Sequence, residues 1–368
     1  MTTMLPKATG VEFDATSRRL LDLMQEDFPL VDRPYADLGA HLGLTEAETL
    51  TRVREARDAG VIRQICAIYD TKALGYSSAL VAMQVAPERL AHAAAVVNAH
   101  PGVSHNYKRN HPFNMWFTVA MPPGHDLDAV IDRLHVLTGA ESTRPMPTLR
   151  LFKIGVTLDM SGSREMTERG APEYTEDQRN AAAAHGLAEA DIDYILATQG
   201  DLPDTEEPFV DIAKHLGCST EQVFERARAM QESGHLRRFA AILNHRTAGF
   251  RANGMAVWNV PPERIEDFGQ FVAGYRNISH CYQRPIYEDW PYSVFSMIHH
   301  PKVAGVEETA AAIAAQTETS DYRVLYSTTE FKKIRLPYFI DDYERWETLC
   351  SAAASAGVEL AAEDEVLA

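Results

Sequence analysis

Apolar residues recur along this chain in two rhythms, a helical one and then an alternating one, and the pair is written twice. Leu20, Leu21, Leu23 and Met24 share one face of a predicted helix, and Tyr35–Leu42 carries Leu38 on a second. Thr45 followed by Glu48 has the capping-box spacing that opens a third helix, and Gly60 suits the left-handed position that closes it. The strand VIRQICAIYD (61–70) follows. Helix, helix, tight turn, helix, strand is the order of a winged helix-turn-helix. The period then shortens to two. SALVAMQV (78–85) reads as a strand, and PERLAHAAAVVNAH (87–100) opens on proline as helices do. VSHNYKRN and FNMWFTVAM form two strands about a short turn, LDAVIDRLHVL a helix, and TLRLFKIGV a closing strand. This β-α-β-β-α-β order is the ferredoxin-like unit.

Placing residues 20–44 over 194–218 puts Pro29 on Pro203, Pro34 on Pro208, and His41-Leu42-Gly43 on His215-Leu216-Gly217. The offset of 174 holds through Gly60/Gly234, Gly75/Gly249 and Pro87/Pro261. It becomes 175 at Ser104-His105/Ser279-His280 and 179 at Phe152-Lys153/Phe331-Lys332. The chain is a tandem duplication of a module of roughly 140 residues, with insertions where loops fall. Ser219, Gln222 and Gly234 repeat the capping signals of the third helix. The expected fold is α+β, with a winged helix-turn-helix at 18–66 and 189–240 and a ferredoxin-like domain at 67–160 and 241–345. A tail (1–17), a polar linker (161–188) and an acidic, Ala-rich tail (346–368) complete the division, the last as a short helix with a frayed end. Two ferredoxin-like sheets can stack their free faces, so one chain supplies its own partner as a pseudo-two-fold intrachain dimer.

Net charge is −17, which disfavours non-specific nucleic-acid binding. No apolar run nears the length of a membrane span, and the N-terminus has no apolar signal core, so the expected location is cytoplasmic, without membrane contact. Cys66, Cys218, Cys281 and Cys350 are scattered and form no CxxC pair, the usage of reduced thiols rather than a zinc site or disulfide framework. No metal site is expected.

The segment richest in chemistry is VSHNYKRNHPFNMWFTV (103–119), with its counterpart ISHCYQRPIYEDWPYSVFSM (278–297). Both keep Ser-His-x-Tyr-x-Arg. Strand alternation places His105, Tyr107, Arg109 and His111 on one face, and His280, Tyr282 and Arg284 on the matching one. Such a row is costly to bury without a partner. It serves either as a polar network tying the two halves together or as a pocket for a planar anion, with Arg for carboxylates, Tyr for stacking and His for proton transfer. Ile286 stands where counting puts the partner of His111, and Tyr-Glu-Asp-Trp is inserted nearby. The halves are therefore not equivalent, and one site per chain is expected.

A winged helix above a ferredoxin-like unit resembles the Lrp/AsnC transcription regulators, which implies DNA binding. The charges oppose it. Residues 36–65 hold Asp37, Glu46, Glu48, Glu55 and Asp58 against Arg52, Arg54, Arg57 and Arg63, a net −1 where phosphate recognition needs cations. The His-x-Tyr-x-Arg-x-His strand with the Phe-Lys-Ile strand, beneath a winged helix, resembles the sirohaem decarboxylases more specifically. These are Lrp/AsnC-like proteins of the alternative haem and haem d1 pathways, some of them fusions of two related subunits, and the likeness spans about 18–160 and 190–342.

That resemblance implies non-oxidative removal of two acetate carboxyl groups (C12 and C18) as CO2, giving 12,18-didecarboxysirohaem. It implies no added cofactor, because the substrate carries the iron and its macrocycle accepts the electrons. His105, His111 and His280 are the candidate acids and bases, and Arg109 and Arg284 the carboxylate clamps. Tyr107 and Tyr282 are expected against the ring. Lys153 and Lys332, with Arg63, Arg237 and Arg238 of the hinge strands, are expected at the rim. The expected partner is sirohaem itself, with other haem d1 enzymes and a further homodimer as possible associates and no nucleic acid. The competing expectation is a tetrapyrrole-sensing regulator without catalysis.

Overall fold

The computed structural model describes residues 13–155, 160, 180, 182, 186–244 and 252–356. Most of the expected linker and the terminal segments 1–12 and 357–368 lie outside the described residues. The first winged helix-turn-helix comprises α1 (Ala15–Glu26), α2 (Pro34–Ala40), α3 (Glu46–Asp58) and strand β1 (Ile62–Tyr69). The second comprises α6 (Glu189–Thr198), α7 (Val210–Leu216), α8 (Thr220–Glu232) and β7 (Leu236–Leu243). Both expected capping boxes form: Thr45 with Glu48, and Ser219 with Gln222. Gly60 and Gly234 take φ of 68° and 81°, the left-handed turn that frees the chain to enter each strand.

β1 and β7 pair antiparallel as a two-stranded ribbon, Ile65 opposite Ala241 and Cys66 opposite Ala240. The ribbon joins the two winged helices. The arginines of α3 are held within the chain: Arg52 by Asp14, Arg57 by Asp201 and Asp204, and Arg54 by the Asp204 carbonyl. The helix that would read DNA in a regulator therefore spends these cations on Asp14 at the start of α1 and on the loop before α7. The negative balance of the segment has a structural use.

The ferredoxin-like units hold β2 (Ser77–Gln84), α4 (Leu90–Ala99), β3 (Val103–Arg109), β4 (Met115–Met121), α5 (Leu127–Thr138), β5 (Ser142–Pro147) and β6 (Arg150–Ile154). In the second copy these become β8 (Ala252–Trp258), α9 (Ile265–Ala273), β9 (Ile278–Gln283), β10 (Val294–His300), α10 (Val303–Thr317) and one long β11 (Tyr322–Lys333). The strands run in the order β5-β2-β4-β3-β11-β8-β10-β9-β6. The halves exchange their closing strands. β6 pairs with β9 of the second copy, while the end of β11 leaves β8 and pairs with β3 of the first.

β5 and β6, at opposite ends of that order, are separated only by Thr148 and Leu149. Three peptide links span at most about 11 Å, so the nine strands must curl until their edges meet. The result is two half-sheets face to face, with helices outside. The space between them has an apolar part, filled by Trp116, Met146, Met255, Val257, Trp290, Phe295 and Leu325. The C-terminal segment is more than the expected tail. Helix α11 (Asp342–Ala356) docks, burying Tyr343, Trp346 and Cys350, with the Trp346 ring 4.4 Å from that of His100. All four cysteines are free. Among the described residues, no helix is long and apolar enough to cross a membrane.

Candidate active site between the two half-sheets

β3 and β9 present the same ladder to the space between the half-sheets. The ring centroids of His105 and Tyr107 are 6.1 Å apart, and those of His280 and Tyr282 5.9 Å. The Arg109 guanidinium lies 5.9 Å from the Tyr107 ring, and that of Arg284 4.9 Å from Tyr282. Each arginine is anchored to the other half. Arg109 donates to the Leu325 carbonyl, and Arg284 to that of Met146. Both follow from alternation on a strand whose outer face is committed to a helix: Asn106 bonds Asn98 of α4.

Arg109 is 6% exposed and, among the described ion pairs, faces no carboxylate. Burial drives its pKa down to about 10, so it remains cationic at neutral pH, and its Nε has no hydrogen-bond partner. A buried charge without a counter-charge is disfavoured unless something else supplies it. The imidazoles carry the same signature. Burial lowers His105 to about 4, helped by Lys333 and Arg63. It lowers His280 to about 3, helped by His299, Arg237, His105 and Arg284. The same His105 and His280, with Tyr107 and Tyr282, keep accessible side-chain surface. Deep burial together with accessible surface means that these residues line a cavity. Apart from Glu330, which strand register sets opposite Tyr107, its charged groups are cationic or potentially so.

Two of the three hinge-ribbon arginines reach the exchanged strands. Arg63 donates to the Lys333 carbonyl and Arg237 to that of Ile154, equivalent positions at the ends of the exchanged strands. Arg238, one residue on, faces the other way, where its charge acts on Asp27. Lys153 and Lys332 also turn outward. Lys153 Nζ donates to Tyr275, and Lys332 Nζ to Asn98 and His100. A register shift between Glu330 and Lys332 brings Lys333 opposite His105 instead. His111 is not in the ladder, because β3 ends at Arg109. It lies in the following turn, its Nδ1 accepting from Phe113 N and its ring 5.2 Å from inserted Trp290.

Three groups that alternation did not single out stand at the site. Ser104 Oγ lies 2.9 Å from His105 Nδ1, and Ser279 Oγ 2.7 Å from His280 Nδ1. His299 Nε2 lies 2.7 Å from the same Ser279 oxygen. The serines were visible in the repeated Ser-His pair. His299 has no counterpart in the first copy to announce it. Among the described residues, no three His, Cys, Asp or Glu side chains are grouped to hold a metal ion.

The fold and site thus define a duplicated AsnC-like ligand-binding protein with a cationic, histidine-bearing cavity. Comparison with known proteins agrees. The "AsnC-like ligand binding domain" family matches residues 73–153 and 247–332, and the "Siroheme decarboxylase NirDL-like HTH domain" family matches 17–63 and 191–237. A siroheme decarboxylase of Hydrogenobacter thermophilus is 39% identical over 92% of this chain and 98% of its own. The siroheme decarboxylase beta subunit of Methanosarcina barkeri is 41% identical over 40% of this chain and 97% of its own length, so it corresponds to about one copy. The crystal structure of the siroheme decarboxylase NirDL superposes with a TM-score of 0.71 at 34% identity, covering 93% of this chain and all of that one. The same protein has been crystallised with an iron-uroporphyrin III analogue, a structure that superposes at 0.70 and 33% identity over the same coverage. This chain belongs to the sirohaem decarboxylases, a family of carboxy-lyases on an AsnC-like frame.

Proposed function

We propose that this chain binds sirohaem between its half-sheets and removes its C12 and C18 acetate carboxyl groups as CO2, without oxidation and without an added cofactor. The observation that carries the reading is the buried Arg109, paired with no carboxylate among the described residues and in line with Tyr107 and His105, a ladder whose residue types the second copy repeats. Sirohaem brings eight carboxylates, the missing counter-charge. Arg109 and Arg284 hold them in two-point fashion, Arg63, Arg237 and Lys333 meet those nearer the rim, and Tyr107 and Tyr282 pack against the ring. Binding of a relative to an iron-uroporphyrin III analogue supports the same ligand class here.

The chemistry needs protons. Protonation of a ring carbon beside the acetate-bearing one makes the macrocycle an acceptor for the electron pair released with CO2. The exocyclic methylene left behind takes a proton to become a methyl, and the ring carbon gives its proton back, so one proton is consumed overall. Acetates on the two reduced rings sit on saturated carbons and lack that acceptor, which limits the reaction to two. Burial and neighbouring cations hold His105 and His280 neutral. Bound carboxylates reverse that field and raise both imidazoles toward the range in which they deliver protons. A cavity closed from water also favours loss of a charged carboxylate.

The iron is part of the substrate in this reading, and neither DNA nor a membrane is a partner. The test is anaerobic incubation of the purified protein with sirohaem, read by mass. Loss of two CO2 supports the reading, whereas unchanged sirohaem with a shifted absorption band indicates a binding regulator instead.

A further inference from the structure

His280 does not act from an isolated position. Ser279 Oγ lies 2.7 Å from His280 Nδ1 and 2.7 Å from His299 Nε2. A hydroxyl has a single proton to donate. Held between two ring nitrogens, it can donate to one while accepting from the other, which couples the protonation of His299 to the tautomer of His280. With a proton on His299 Nε2 that Ser279 accepts, Ser279 can donate to His280 Nδ1, and His280 then carries its own proton on Nε2. With that nitrogen bare, the sense reverses and His280 Nδ1 becomes the donor. The first copy has no such control. Strand register sets Thr118 opposite His105 as it sets Met297 opposite His280, so Ala120 occupies the place of His299.

We infer that Ser279 and His299 form a proton relay behind His280, which makes the imidazole of the second copy the resupplied proton donor of the reaction. The inference rests on the assignment of decarboxylation to this cavity. In the forward step, His280 gives its Nε2 proton to the methylene carbon, whose electron pair came from the broken C–CO2 bond. Ser279 passes its hydroxyl proton to His280 Nδ1, and His299 passes its Nε2 proton to Ser279, going from imidazolium to the neutral form. After product leaves, His280 Nε2 takes a proton from water, and the Nδ1 proton returns through Ser279 to His299. One proton is consumed for each CO2 released. The charged and titratable groups facing the trio are Arg237 from β7, Lys333 from β11, and His105 and Arg284 from β3 and β9. The negative charge that lets His299 hold its proton therefore arrives with the substrate. His299 is a positioning residue in this scheme, acting through Ser279.

The test uses the full chain with sirohaem, comparing Ser279→Ala, His299→Ala and His299→Gln with His280→Ala. Both alanine variants at the relay are expected to bind sirohaem normally by absorbance titration, to leave KM unchanged, and to lower kcat about 10- to 100-fold. Partly decarboxylated product should accumulate, and the alkaline limb of the kcat–pH profile should shift. His299→Gln keeps a donor for Ser279 but cannot release a proton, so it should stay slow. A wild-type rate and profile in His299→Ala, with His280→Ala slow, overturns the relay and leaves the site intact. Wild-type rates in His280→Ala as well overturn the parent assignment. Normal turnover in His299→Gln with lost binding in His299→Ala assigns His299 to packing and also overturns the relay.

Discussion

The two copies agree in the ladder proposed to hold the ligand and differ around the imidazoles proposed to move protons. His105, Tyr107 and Arg109 are matched by His280, Tyr282 and Arg284, with ring separations that differ by 0.2 Å. Around those ladders the symmetry fails. Ala120 faces His299 across the pseudo-axis, Ile154 faces Lys333, and the short turn carrying His111 faces an insertion carrying Trp290. A pseudo-symmetric macrocycle is gripped best by a pseudo-symmetric clamp. Two successive reactions on it are better served by unequal surroundings. Duplication supplied the first property, and divergence between copies the second.

The largest expected effect comes from breaking the shared part. Arg109→Ala or Arg284→Ala should weaken sirohaem binding by about 100-fold or more, the scale of a buried charge contact, measured by absorbance titration. Because Arg109 is buried and pairs with no carboxylate among the described residues, Arg109→Met should leave chemical-denaturation stability equal or higher. A large loss of stability would show that Arg109 serves the fold.

Next come the histidines. His105→Ala and His280→Ala should each slow turnover at least ~100-fold while binding persists. Product masses from the two variants separate the roles of the halves, and identical products would remove the asymmetry.

A smaller effect is set by pH. His105 and His299 fall to about 4, and His100 and His280 to about 3, all through burial first. Each is depressed below its unfolded value of about 6.5, so the unfolded chain binds more protons between the two pKa values. Stability is therefore full above about pH 6.5 and declines as pH falls toward 4, by about 2 kcal/mol for each imidazole at pH 5. Denaturation midpoints at pH 7 and pH 5 measure this, and bound sirohaem should reduce the loss for the site imidazoles, since it favours their charged form. The smallest change is expected at the winged helices. Arg57→Ala, breaking a partly exposed pair with Asp201 and Asp204, should cost about 1 kcal/mol or less and leave turnover unaltered.

Much of this was legible in the sequence, for local reasons. Capping boxes, left-handed glycines and a period of two are short-range signals, and they placed α3, α8, β3 and β9 and the His-Tyr-Arg ladder. What was hidden depended on long-range pairing. β5 carries Pro145 and Pro147, which argue against a strand, yet it lies at the end of the strand order beside β2. The exchange of β6 and β11 depends on which half offers the better edge, and no periodicity reports that. The register shift that swaps Lys332 for Lys333 is a one-residue slip, enough to turn a side chain to the other face. Repetition reports only what both copies keep, so it carries no signal for His299, which one copy alone holds. The docking of Trp346 and Cys350 on the first copy was masked by the Ala-rich composition around them.

The strand exchange has a consequence for how such a protein can be divided. A chain cut in the stretch before Gly186 would yield two pieces, each carrying the last rung of the other's ladder. Neither could close its own sheet, and each would offer its open edge only to its complement. Two separate chains that exchanged strands in this way would have to be made in equal number and meet before they are finished. Joining them end to end makes that stoichiometry automatic.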